Sequence, residues 1–144
     1  MSKSDIAQLA PQDTEADAVV WLISNIKAFA PGGRVATEVP SHGRARTDLV
    51  VVTPRQLIGV EVKLRDWRRA LGQAILNRYC FDLSYVALLP SAIRTELLDT
   101  AREFRVGVLA VSADCVEVRL RAARNAPEPG IRGRLRKTVE DAAQ

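Results

Sequence analysis

This sequence predicts an α/β chain of the α+β kind: one mixed central β-sheet flanked by helices. Three observations carry that expectation. Between residues 34 and 64 apolar β-type runs follow each other too closely for an intervening helix, so these strands should pair antiparallel. Beyond residue 64, strand-like runs alternate with segments of helical period, the pattern that places strands parallel through α crossovers. A length of 144 residues suits a single domain with a real core. The expected division is a lead-in over 1–12, the domain over 13–124, and a basic linker and tail helix over 125–144.

In chain order, a first helix should begin near Asp13 and Thr14, where Thr14 and Asp17 have capping-box spacing. Its expected apolar stripe is Ala16, Val19, Val20, Ile23, Ile26 and Ala30, and Pro31-Gly32-Gly33 ends it. A strand over 34–39 precedes a loop over 40–43 that holds His42, the single histidine. Strands over 46–53 and 56–64 flank Thr53-Pro54-Arg55-Gln56, a turn with Pro at its favoured second position. Asp66 can cap a helix reaching about residue 82, followed by a short strand over 85–89. A helix over 91–104 and strands over 108–112 and 116–120 follow. Asn125 to Gly130 reads as a linker, and 131–143 as a weakly amphipathic helix. Trp67, Tyr79, Cys80 and Cys115 are expected in the core.

The informative pair is Thr47-Asp48-Leu49-Val50-Val51-Val52 and Ile58-Gly59-Val60-Glu61-Val62-Lys63. Folding the chain about Pro54-Arg55 sets Val52 opposite Leu57, Val50 opposite Gly59 and Asp48 opposite Glu61. Opposed residues share a face, with Cβ atoms roughly 4.5–5.5 Å apart. Lys63, two residues past Glu61, points to that face as well. Like charges in opposition destabilise a sheet, and covered charges need a partner or a metal. A structural ion pair needs one acid, not two, so a divalent cation is the better resolution. Mg²⁺ or Mn²⁺ favours a few carboxylates plus water and phosphate oxygens, the equipment for phosphodiester hydrolysis.

The net charge is +4, from 21 Lys and Arg against 17 Asp and Glu. Two basic clusters dominate: Arg65, Arg68 and Arg69 after Lys63, and the run from Arg119 to Lys137. Together with Arg44 and Arg46 ahead of Asp48, they fit a polyanion, with DNA the expected partner. RNA stays open as a second partner, since no pattern here reads a 2′-OH. A homodimer is also compatible with the chain. No apolar run reaches 18 residues, and Met1-Ser2-Lys3-Ser4-Asp5 lacks the apolar core of a signal peptide. With two cysteines at no metal-type spacing, a reduced cytoplasmic protein without membrane association is expected.

An acid opening a strand, a hairpin, then Glu61-Val62-Lys63 and a helix resembles the PD-(D/E)xK nuclease superfamily, over roughly residues 13–112. That superfamily includes restriction endonucleases, Holliday-junction resolvases and RecB-type nucleases. The resemblance implies a restriction-endonuclease-like αβββαβ core. It implies that Asp48 and Glu61 are metal ligands, that the Val62 backbone carbonyl joins them, and that Lys63 is the catalytic lysine. It also makes Glu15 the first-helix acid near the metals and Gln73 the glutamine of the following helix, with Tyr79 a looser echo. The chain departs from the pattern at Thr47, where Pro is common, and in the six-residue spacing of Gln73 and Tyr79. The implied function is a Mg²⁺- or Mn²⁺-dependent DNA endonuclease of repair, recombination or mobile-element defence. The alternative is a non-catalytic nucleic-acid-binding module that retains the fold.

Overall fold

The computed structural model describes residues 13–43 and 45–142. The elements are α1 (Glu15–Ser24), a 3-10 turn (Ile26–Ala28), β1 (Arg34–His42), β2 (Ala45–Val52), β3 (Leu57–Val62), α2 (Trp67–Asn77), β4 (Leu83–Leu88), a second 3-10 turn (Pro90–Ala92), α3 (Thr95–Glu103), β5 (Gly107–Val111), β6 (Val116–Leu120) and α4 (Pro129–Ala142). Six strands form one sheet in sequence order. β1, β2 and β3 pair antiparallel, β3, β4 and β5 parallel, and β6 closes the edge antiparallel. The expected mixed sheet flanked by helices is therefore present.

Strand alternation sorts the core into two faces. Leu49, Val51, Ile58, Val60 and Val62 pack beneath α1 through Ala18 and Leu22. On the other face, Val86, Leu88 and Val108 meet Ala70, Leu71 and Ala74 of α2 and Leu97 and Ala101 of α3. Val50, Val52 and Leu57 pack there against Phe81 and against Leu135 and Val139 of α4. Gly59 lies beneath the Phe81 ring; an added Cβ would come 2.5 Å from Phe81 Cδ2.

Several local expectations change. Thr14 and Asp17 do form a capping box, but α1 buries Ala18 and Leu22 and leaves Val20 59% exposed. Of the expected stripe, Val19, Ile23, Ile26 and Ala30 do pack against the core, while Ala16 and Val20 face solvent, because the contact centres on Ala18 and Leu22. β1 runs on through Pro40 and Ser41 to His42, because its edge position leaves the Pro40 nitrogen without a ladder bond to make. Asp66 caps α2, accepting the Arg69 N–H, but the helix stops at Asn77. Tyr79 lies beyond that end and is 68% exposed, and Cys115 is exposed in the β5–β6 turn.

The tail also differs. Composition sets residues 125–144 apart as linker and tail, yet α4 completes the core, with Leu135 and Val139 fully buried. Its arginines tie it down. Arg132 makes a forked ion pair with buried Asp82, Arg134 donates to the Pro40 and Ser41 carbonyls, and Arg136 donates to the Thr53 and Pro54 carbonyls. The basic run thus serves packing as well as charge. Among the described residues no helix is long and apolar enough to cross a membrane.

Candidate functional site

The site forms where β2 and β3 part. Their ladder runs from Val52↔Leu57 to Leu49↔Val60 and stops. Beyond it, β2 stays with β1, while Glu61 and Val62 pair with Val86 and Ala87 of β4. Asp48 sits in this fork. Its Oδ2 accepts the Val62 N–H at 2.8 Å, a side-chain bond where the next ladder bond would have been. Glu61 lies one position beyond the ladder and is buried. Asp48 and Glu61 therefore meet, as the hairpin arithmetic predicts.

Both carboxyls titrate high. Burial, first, pushes Glu61 up to about 7, and the negative charge of Asp48 adds to it, against the Asn77 hydrogen bond and Lys63. Burial also raises Asp48, with Glu38 and Glu15 adding repulsion, while the Val62 N–H and Lys63 oppose it. The pair is thus short of positive charge. Lys63 supplies some, but its Nζ reaches Glu15 Oε1 at 3.4 Å across the end of α1. Lys63 follows the last residue of β3, and its N–H still donates to the Ala87 carbonyl of β4 at 3.1 Å.

Three partners escape a sequence reading. Asn77, at the end of α2, is buried and donates its Nδ2 to Glu61 Oε2 at 2.9 Å. His42 Nε2 lies 3.1 Å from Asn77 Oδ1, so its N–H completes a His42–Asn77–Glu61 chain. His42 is therefore tied into the site rather than idle in a loop. A signal for Asn77 exists in the sequence: it continues the buried Ala70, Ala74 spacing of α2, and a polar residue on that stripe needs a buried partner. The third is Glu38, which falls between the pairs Thr37↔Leu49 and Val39↔Thr47, level with Asp48, in a left-handed conformation (φ 52°). Such strain costs about 1–2 kcal/mol and sits beside the site.

The remaining candidates divide. Glu15 is brought to Lys63. Gln73 is half-buried one turn before Asn77, and among the described residues its amide has no hydrogen-bond partner; the α2 amide that bonds Glu61 is Asn77. Arg46 is exposed and donates to the Glu38 carbonyl. Arg65, Arg68 and Arg69 are exposed around the start of α2. Arg44 lies outside the described residues.

For a metal, the donor set is two converging carboxylates in a fork. Among the described residues no three His, Cys, Asp or Glu side chains gather as ligands. Side chains thus offer two hard oxygen donors, leaving other positions to backbone oxygen, water or phosphate. That set fits Mg²⁺ or Mn²⁺. The mutual repulsion of half-buried Asp48 and buried Glu61 is also what a divalent cation would relieve.

The chain matches no protein-family model and no curated protein. Among solved structures it is similar to a protein of unknown function from Silicibacter pomeroyi, with a TM-score of 0.74 at 17% identity, covering 92% of this chain and 88% of that one. At that identity the likeness establishes the fold alone. SfsA of Pyrococcus furiosus, solved in complex with Ca²⁺, aligns with a TM-score of 0.36 at 18% identity, over 64% of this chain and 55% of that one. That score is too low for the two folds to be equated.

Proposed function

We propose that this protein is a metal-dependent nuclease of the PD-(D/E)xK kind that hydrolyses phosphodiester bonds in DNA. The observation that carries the reading is the meeting of Asp48 and Glu61 in the β2–β3 fork, both with raised pKa and with Lys63 at its rim. A structural role would call for a compensating cation, whereas buried Glu61 and half-buried Asp48 have more negative than positive charge around them.

Asp48 and Glu61 would hold Mg²⁺ or Mn²⁺, with the Val62 carbonyl as the third protein oxygen. A bound divalent ion supplies Lewis-acid polarisation of the phosphate and a water acidic enough to act as nucleophile near neutral pH. Asn77 holds the Glu61 carboxylate in one orientation, and His42 holds Asn77. The Lys63 side chain, 29% exposed, is free to leave Glu15 and donate to a water or to a non-bridging phosphate oxygen. Arg46, Arg65, Arg68 and Arg69 supply positive charge for the flanking backbone. Repair, recombination or mobile-element defence is the corresponding context.

The second reading is a binding module that kept the fold without the chemistry. The Lys63–Glu15 pair favours it, because the lysine's one ion-pair partner among the described residues is Glu15, not a carboxylate of the fork. One experiment separates the two. Purified protein is incubated with duplex, single-stranded, flapped and four-way DNA and single-stranded RNA, in Mg²⁺, Mn²⁺ or EDTA. Metal-dependent cleavage that Asp48→Asn and Glu61→Gln abolish supports the nuclease. Binding without cleavage, unchanged in both variants, supports the module.

A further inference from the structure

At the C-terminal ends of β3 and β4 lies a groove of about 470 Å³, lined by Arg65, Asp66, Trp67, Arg68, Ser91 and Arg94. Three guanidinium groups share it with one carboxylate, and that carboxylate is turned to its own helix, where Asp66 accepts the Arg69 N–H at 3.3 Å. Arg68 lies 4.4 Å over the Trp67 ring and 3.5 Å from Glu96. Both members of that ion pair are about two-thirds exposed (70% and 67%), so the contact is weak and readily exchanged for another anion. Arg94 occupies the N-cap of α3 without making a capping bond.

Gathering three cations in one depression costs repulsion energy, and the start of a helix is an unfavourable place for a cation. None of the three complements the helix dipole beside it. An anion in the groove removes both costs. The charges are spread over two elements rather than focused on one point, and Arg65 follows Lys63 by two residues. An extended polyanion leading to the carboxylate fork fits that layout better than a compact anion does.

We infer that this groove holds the phosphodiester backbone of a nucleic-acid strand, with Arg65, Arg68 and Arg94 meeting its internal phosphates. The inference rests on the nucleic-acid reading above and adds Arg94, which the sequence did not single out. The Trp67 ring backs the Arg68 guanidinium at 4.4 Å, and Ser91 offers a hydroxyl at the groove wall.

The test is binding of a labelled oligonucleotide by the full chain in EDTA, followed by fluorescence anisotropy across a salt series. Arg65→Ala and Arg94→Ala should each weaken binding about five- to tenfold at low salt and reduce the slope of log K against log salt by about one. Arg102→Ala removes a cation from the other end of α3, where Arg102 pairs with Asp99, and should leave binding unchanged. All three residues are exposed, and circular dichroism confirms that the variants are folded. Equal affinity for oligonucleotides with and without a 5′-phosphate supports internal phosphates; dependence on the terminal phosphate overturns the backbone assignment. Arg94→Ala behaving like Arg102→Ala overturns the groove. Because EDTA removes any metal, the two proposals fail separately. Loss of binding in the Arg variants of a protein that never cleaves refutes the nuclease alone. Wild-type-like binding by both Arg65→Ala and Arg94→Ala, in a protein that does cleave, refutes the groove alone.

Discussion

Asn77 uses both ends of its amide, one for Glu61 and one for His42, so truncating it strands a buried carboxyl and a ring nitrogen. Loss of such a buried bond costs about 1–3 kcal/mol. Asn77→Ala should therefore lower stability by that amount in urea denaturation, and an unchanged midpoint would remove Asn77 from the site. Asp48→Asn and Glu61→Gln behave oppositely. Each keeps the shape of the side chain and one oxygen that can accept, so an amide at position 48 still takes the Val62 N–H. Each also removes one of two mutually repelling charges. In EDTA both variants should be as stable as the parent or up to about 1 kcal/mol more stable. Clear destabilisation by thermal melting would mark the acids as structural.

At the scale of elements, α4 decides most. Its Leu135 and Val139 are fully buried, each worth about 1.5–3 kcal/mol on burial, and its Arg134 grips the Ser41 carbonyl next to His42. Ending the chain at residue 127 should abolish cooperative unfolding seen by near-UV circular dichroism; a folded truncated chain would show α4 to be accessory. The Asp82–Arg132 clamp gives the helix a pH dependence. Burial raises the Asp82 pKa, but the Arg132 hydrogen bonds and the Leu57 N–H outweigh it, so the carboxyl sits below its ordinary 3.8. A depressed carboxyl contributes its stability above about pH 4 and loses it as pH falls through the folded value. Arg132→Ala should thus cost stability at pH 7 and progressively less below pH 4, read from denaturation midpoints. A pH-independent difference would assign Arg132 to packing alone.

Across the molecule, the carboxylate fork joins the antiparallel half of the sheet to the parallel half. Asp48 of β2 and Glu61 of β3, which would hold a cation, lie where the strands' own hydrogen bonds have ended, so binding would tie the two strands together. Metal that binds the folded chain stabilises it by mass action, by about 2.7 kcal/mol at a hundredfold excess over Kd, which is several degrees in Tm for a domain of this size. Mn²⁺ should raise the Tm of the parent by that much and leave Asp48→Asn unmoved. Equal shifts in both would mean the ion binds elsewhere.

The local code alone carried the mixed sheet, the hairpin register and the opposition of Asp48 and Glu61. Period-two alternation and a Pro-containing turn act between neighbours, so they can be read from neighbours. The capping box at Thr14 and the cap at Asp66 are legible for the same reason. The centring of the α1 contact on Ala18 and Leu22, the docking of α4, and the chain from His42 through Asn77 to Glu61 were decided only by the tertiary structure. Those outcomes depend on contacts between residues tens of positions apart, such as Asp82 with Arg132 and His42 with Asn77. The contact between Lys63 and Glu15, from a helix far earlier in the chain, belongs to the same class.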